Sequence, residues 1–161
     1  MKALRDRLAA LAAALALAGA PAHAQPVPPW DEVLAKARGQ TVNWNAWAGD
    51  EKTNAFIAWV GGETERRYGV KVVHVKLRDT AEAVQRVVAE KAAGRDVGGS
   101  VDLVWINGPN FLALKEQKLL YGPYAGRLPN WRYVDTANKR SNLIDFTIPN
   151  EGYESPWRMA Q

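Results

Sequence analysis

The residue types best suited to hold a small molecule lie directly after the most apolar stretch of the chain. Residues 103–106, Leu-Val-Trp-Ile, stop sharply at Asn107-Gly108-Pro109-Asn110. Asparagine amides both donate and accept hydrogen bonds, and a turn that opens a helix presents backbone N–H groups to a ligand. We therefore interpret Asn107, Gly108 and Asn110 as ligand contacts. The alternative is that these residues are present only because the turn requires them.

A second segment of the same kind lies at residues 43–50, NWNAWAGD. Here Asn45, Trp47 and Gly49 are expected at the carboxyl end of a short strand, and Asp50 can cap the helix that follows. An indole ring in such a turn offers a flat face on which a ligand can stack. In open α/β sheets, ligands bind beyond the carboxyl ends of the strands. The segment is therefore a second candidate ligand contact.

Acid–base catalysis is the competing interpretation. Glycosidases use two carboxylates, and Asp102, Asp145, Glu151 and Glu154 are the candidates for such a pair. However, the last two lie in a loop-like stretch without an evident orienting partner, and Asp102 begins a strand. His74 is the one histidine that follows the leader, no G-x-S-x-G motif is present, and the chain contains no cysteine. We therefore expect no catalytic residues, no metal and no cofactor.

The first 24 residues have the three regions of an export signal in the correct order. Lys2, Arg5 and Arg7 form a basic start, residues 8–18 are apolar but too short for a membrane span, and Ala22-His23-Ala24 matches a signal peptidase site. We expect a periplasmic product that is not inserted in the membrane. Removing three basic residues and one acidic residue lowers the formal charge from +4 to +2. The remaining basic residues are dispersed, so no nucleic-acid partner is expected.

Alternating strand-like and helix-like patterns predict an α/β fold with a parallel sheet. Residues 101–106 are expected to be an inner strand, buried on both faces. The helix that begins at Glu51 is expected to continue through Gly61-Gly62, with Trp59 in the core. In the helix that follows the second strand, the residues expected to face water are Glu82, Arg86, Glu90 and Lys91. The predicted strands are residues 41–44, 70–77 and 101–106, and the predicted helices are residues 31–38 (Asp31 as cap), 51–68 (Gly69 as stop), 80–93 and 111–117 (Asn110 as cap).

Several motifs carry a resemblance beyond these patterns. After the signal peptide come NWNAWAGD, GGSVDLVWINGPNF, LLYGP, LPNWRYVD and DFTIPNEGYESPW. In this order they resemble the extracellular solute-binding proteins of ABC transporters, and more narrowly the YnjB-type family. The resemblance runs from about Trp30 to Gln161.

The resemblance implies a type II periplasmic binding fold, in which two α/β lobes close over a small solute and deliver it to a membrane permease driven by an ATPase. Residues 25–161 would form most of the N-terminal lobe, with a mainly parallel sheet flanked by helices, of a monomeric protein that is longer than this chain. The ligand-facing positions of the family fall on Asn45, Ala46, Trp47, Asn107, Gly108, Asn110, Ser155 and Trp157.

A carbohydrate-binding module is a further alternative, because the chain contains seven tryptophans. Such modules are usually all-β, and the amphipathic helix predicted at residues 80–93 disfavours that architecture. The solute itself stays open: indole faces suit a sugar or a cationic ring, whereas asparagine amides suit hydroxyl groups or an oxyanion.

The export signal makes a direct prediction. When the chain is expressed with its leader in a Gram-negative host, the periplasmic fraction should contain a product that begins at Gln25, because the small-x-small site ends at Ala24. N-terminal sequencing and the intact mass of the product check this. A product that keeps its leader and stays with the membrane would show an uncleaved anchor instead.

Overall fold

A central parallel sheet organises the fold in the computed structural model, which describes residues 28–156. The strands are β1 (Thr41–Trp47), β2 (Lys71–Leu77) and β3 (Leu103–Val104), and their order is β2-β1-β3. Both pairings are parallel. The prediction of an α/β chain with a parallel sheet is therefore confirmed. The signal peptide and Trp157 lie outside the described residues, so both stay predictions.

Strand β1 begins where it is predicted to begin but ends later. This strand extends three residues beyond the expected end at Trp44, because it pairs in register with all seven residues of β2. The prediction that residues 101–106 form an inner strand is wrong. Only Leu103 and Val104 pair with β1, on its other side, and Leu103 is 42% exposed. Within residues 28–156, β1 is the central strand and β3 is an edge.

Residues 28–156 form four α-helices: α1 (Trp30–Ala37), α2 (Glu51–Tyr68), α3 (Ala81–Ala92) and α4 (Gly108–Glu116). The limits of α2 are confirmed. The Asp50 carboxylate accepts a hydrogen bond from the Thr53 N–H at 2.8 Å, and Gly69 ends the helix in the left-handed conformation with φ 67°. The helix continues through Gly61, which lies against Val72 of β2.

Two predicted caps are wrong. Helix α1 begins at Trp30 with Pro29 as its N-cap, so that Asp31 already lies in the first turn. Helix α4 begins at Gly108, so that Asn110 lies inside its first turn. The reason for the early start is a long-range contact, because the Asp145 carboxylate accepts the Gly108 N–H. Asp145 lies 37 residues after Gly108, so the local sequence around the helix start could not predict this contact.

The core lies between α2 and the sheet. Trp44, Ala46 and Ile57 form the buried cluster, and partly buried Val60, Val72 and Trp105 pack against it. The expectation that Trp59 is a core residue is wrong, since this side chain is 60% exposed. In an α-helix, neighbouring residues differ by about 100° around the axis. Ile57 and Val60 share the face toward β2, whereas Trp59 lies outside it and contacts Phe56.

After α4 the chain has little regular structure. It forms short 3₁₀ turns and then a hairpin of β4 (Ile144–Asp145) and β5 (Ile148–Pro149). The buried Asn150 stabilises this region, because its Nδ2 donates to the Asn142 carbonyl at 3.0 Å. No helix among residues 28–156 is long and apolar enough to cross a membrane.

The assignment of the core face of α2 is testable by mutation. Ile57→Ala should lower the free energy of unfolding by about 2–5 kcal/mol, because a fully buried side chain is replaced by a cavity. Trp59→Ala should cost at most about 1.5 kcal/mol, the value of its aromatic pair with Phe56. Urea denaturation of the two variants measures both changes. A larger loss for Trp59→Ala than for Ile57→Ala would contradict the described packing.

Candidate functional site

A small cleft lies where the three parallel strands end. Its volume is about 350 Å³. It is bounded by the last residue of β1, the turn after β2, the turn after β3 and the first turn of α4. Parallel strands carry their carboxyl ends at the same edge of a sheet, which is where α/β folds bind ligands. The lining residues are Trp47, Arg78, Asp79, Thr80, Trp105, Ile106, Asn107 and Asn110.

Two indole rings form the apolar part of the cleft. The ring centroids of Trp47 and Trp105 lie 6.1 Å apart, and the ring planes are inclined by 52°. Trp47 is 38% exposed and Trp105 is partly buried. This tilted contact is favourable between aromatic rings and leaves part of the Trp47 surface accessible. The cleft therefore presents an aromatic surface to solvent.

Hydrogen bonds hold the turn after β2 in place. Asp79 Oδ1 accepts from the Ala81 N–H at 2.8 Å, and Glu82 Oε1 accepts from the N–H groups of Arg78 and Asp79 at 3.1 Å each. The Thr80 hydroxyl donates to the Trp105 carbonyl at 3.3 Å, which joins this turn to the one after β3. Hydrogen bonds within the protein therefore fix the backbone that borders the cleft.

The structure brings three of the predicted ligand residues together. Trp47, Asn107 and Asn110 all line the small cleft. Gly108 does not line it. That residue is buried with φ 53°, its N–H is bound by Asp145, and the Phe146 ring lies 3.4 Å from the position a Cβ would take.

The expectation that Asn45 and Ala46 lie in a turn is wrong, because both are inside β1 and fully buried. The Asn45 amide is also occupied by protein groups. Its Nδ2 donates to the Asn43 and Ser100 carbonyls at 3.3 and 3.2 Å, and its Oδ1 accepts from Arg86 Nη1 at 3.0 Å. Neither residue lines the small cleft.

Sequence analysis missed the contribution of residues 78–80 and of Trp105. The signal that could have identified residues 78–80 is their position between a strand and a helix. Arg78, Asp79 and Thr80 directly follow the predicted strand 70–77 and open the next helix, as the two chosen turns do. They contain neither glycine nor asparagine, and the choice of candidates relied on those residue types. Trp105 was assigned to the interior of a longer strand.

A second, larger cleft of about 1610 Å³ is lined by three of the four candidate carboxylates, Asp102, Asp145 and Glu154. Burial and the charge of Asp145 raise the pKa of Glu154 to about 7, although Lys115 acts in the opposite direction. Burial also raises the pKa of Asp145, against the effect of the Gly108 N–H. Ser155, a predicted ligand residue, lines this cleft and not the small one.

Two of the four candidate carboxylates, Asp102 and Glu151, have structural partners. Asp102 Oδ2 accepts from the backbone N–H and the side-chain amide of Asn43 at 2.8 and 3.0 Å. Glu151 is exposed and pairs with Lys115 Nζ at 3.1 Å. Among residues 28–156, no group of three or more His, Cys, Asp or Glu side chains is arranged to hold a metal ion.

Comparison with known proteins yields one informative relative. The chain is 50% identical to Protein YnjB of Escherichia coli (strain K12) over 132 residues, which are 82% of this chain and 34% of YnjB. The chain therefore spans about a third of the length of this relative. No protein-family model matches the chain, and no solved structure matches it. The similarity supports a YnjB-like family and brings no activity or solute with it.

The raised pKa of Glu154 predicts a pH dependence of stability. Between its ordinary value of 4.5 and about 7, the unfolded chain has released this proton while the folded chain retains it. The contribution of Glu154 is therefore complete below pH 4.5 and is lost as the pH rises through 7. We expect the stability of the wild type relative to Glu154→Gln to fall over this interval, as measured by urea denaturation at several pH values.

Asp50→Asn is the matched control, because hydrogen bonds from the Thr53 hydroxyl and N–H lower the pKa of Asp50 from 3.8. A lowered carboxyl pKa has the opposite sign: its contribution is complete above 3.8 and is lost only below it. The stability difference for Asp50→Asn should therefore stay constant where that for Glu154→Gln changes. The same pH dependence of the stability difference for both variants would contradict the raised pKa of Glu154.

Proposed function

We propose that this chain is part of the periplasmic solute-binding component of an ABC import system. It would supply one wall of a site that captures a small solute between two lobes and delivers it to the permease and ATPase subunits of the importer. The observation that carries the proposal is the small cleft at the carboxyl ends of three parallel strands. There the indoles of Trp47 and Trp105 adjoin the side chains of Asn107 and Asn110.

The proposed mechanism is binding without a chemical step. The Trp47 indole covers one face of the solute, and the amides of Asn107 and Asn110 exchange hydrogen bonds with its polar edge. Arg78 and Asp79 add one group of each charge at the same rim. A cleft with this pair suits a solute that is neutral or carries both charges. Closure of a second lobe would exclude water and strengthen these contacts.

The relationship to YnjB supports the proposal through its extent. The chain is 50% identical to a segment that makes up 34% of YnjB. In a two-lobed clamp, the second lobe would be formed by the remaining length of a YnjB-like protein. The export signal predicted at residues 1–24 supports a periplasmic location. In this proposal the chain is not an enzyme.

A secreted glycosidase-like hydrolase is the second candidate, and one observation favours it. Burial and the charge of Asp145 raise the pKa of Glu154 to about 7 in the larger cleft, which is the direction that a general acid requires. Against this, the Asp145 carboxylate is already bound by the Gly108 N–H at the start of α4. Release of free sugar from a panel of disaccharides, whose leaving groups require protonation, abolished by Glu154→Gln, would favour this candidate over solute capture.

Calorimetric titration of the whole chain with defined solutes tests the binding proposal. The panel comprises monosaccharides, disaccharides, amino acids, cationic heteroaromatic rings and small oxyanions. The solute that binds should bind Trp47→Ala roughly 2- to 12-fold more weakly, since an aromatic contact contributes about 0.5–1.5 kcal/mol. Asn110→Ala should weaken binding by a similar factor through the loss of one hydrogen bond.

The matched control is Trp59→Ala, which removes an exposed indole that does not line the cleft. It should leave the dissociation constant unchanged. A solute that binds Trp47→Ala as tightly as the wild type would contradict the assignment of this cleft. If no member of the panel binds, this cleft does not bind these solutes without the second lobe.

A further inference from the structure

The indole of Trp47 lies directly on Gly49. A Cβ added at residue 49 would be 2.0 Å from Cζ2 of the indole, 2.5 Å from Cε2 and 2.8 Å from Cη2. Non-bonded carbon atoms pack at about 3.5–4.0 Å. Any side chain at residue 49 therefore displaces either this ring or the backbone beneath it.

The backbone on both sides of Gly49 is held in place. The Ala48 N–H donates to the Leu77 carbonyl at 3.0 Å, and the Ala48 carbonyl accepts from Asn54 Nδ2 at 3.0 Å. On the other side, the Asp50 carboxylate caps α2 through Thr53. The ring is partly exposed and can rotate, whereas the backbone would have to break these bonds to move. The ring is thus the part that yields to a larger residue.

The backbone conformation at Gly49 does not itself require glycine. Gly39, Gly69 and Gly94 have positive φ angles, but Gly49 does not. An alanine could therefore adopt the backbone of residue 49 without strain. Contact with the Trp47 ring is the feature that excludes a Cβ there.

We propose that Gly49 is a positioning residue that holds the Trp47 indole against Trp105 and so sets the aromatic wall of the small cleft. With the ring in this place, the cleft offers its accessible indole surface to a solute with one flat face of C–H groups or π electrons. The consequence for solutes rests on the proposed function, whereas the placement of the ring does not. The residue acts through Trp47 and need not touch the solute.

Circular dichroism of the chain without any solute tests the placement. Two indoles in tilted contact give a coupled pair of far-ultraviolet bands, and Trp47→Phe identifies the part that comes from Trp47 and Trp105. Gly49→Ala should lose that same part of the spectrum. Gly62→Ala is the matched control, because a Cβ at this position meets nothing within 4 Å and its φ is not positive. This control should keep the wild-type spectrum.

A double-mutant cycle separates positioning from a general need for glycine. If contact with the Trp47 ring is what requires glycine at residue 49, Gly49→Ala should lower the urea midpoint of the wild type. The same substitution should leave the midpoint of Trp47→Ala unchanged. An unchanged coupled band in Gly49→Ala would overturn the proposal, as would an equal midpoint loss in both backgrounds. Because neither measurement uses a solute, failure here leaves solute capture untouched, and failure to bind solutes leaves these results untouched.

Discussion

The in-register parallel pairing of β1 with β2 is the constraint on which the rest of the described fold depends. Seven consecutive residue pairs, from Thr41 with Lys71 to Trp47 with Leu77, end both strands at the same level. The Trp105 N–H donates to the Asn45 carbonyl at 2.9 Å and extends the alignment to the chain after β3. Three turns distant in sequence therefore meet at one edge of the sheet. Without this register the small cleft would not form.

A buried polar network fixes how the third strand approaches. Asn45 is fully buried in the central strand, and its amide is satisfied by Arg86 and by the carbonyls of Asn43 and Ser100. Glu90 in turn accepts the Ser100 hydroxyl at 2.8 Å. Leaving one such group unpaired would cost about 1–3 kcal/mol, so the network opposes other placements of the segment before β3. Helical spacing predicts that Glu82, Arg86, Glu90 and Lys91 of α3 face water. Glu82 and Lys91 are exposed, but the prediction is wrong for Arg86 and Glu90, which bind Asn45 and Ser100.

The small and the large cleft adjoin, since Trp105, Ile106 and Asn107 line both, but they differ in their ionisable groups. The small one combines indoles, amides and one group of each charge, which is suited to reversible binding. The large one contains a carboxyl pair, Asp145 and Glu154, whose pKa values are raised by burial. One member of that pair serves the fold, since Asp145 provides the carboxylate at the start of α4. A carboxyl with such a structural task is poorly placed to act as a nucleophile or base.

The sequence by itself determined the order of strands and helices, the parallel sheet and the limits of α2. These follow from local periodicity and from caps such as Asp50 and Gly69, which act within a few residues of the helix ends. It also indicated Trp47, Asn107 and Asn110, because each lies at or next to the end of a predicted strand. Only the tertiary structure decided that β1 is central, that the Asn45 side chain accepts a hydrogen bond from Arg86, and that residues 78–80 share a cleft with Trp105. Those outcomes depend on strand register and on partners up to 60 residues apart, such as the Trp105 N–H and the Asn45 carbonyl, and local patterns contain no information about either.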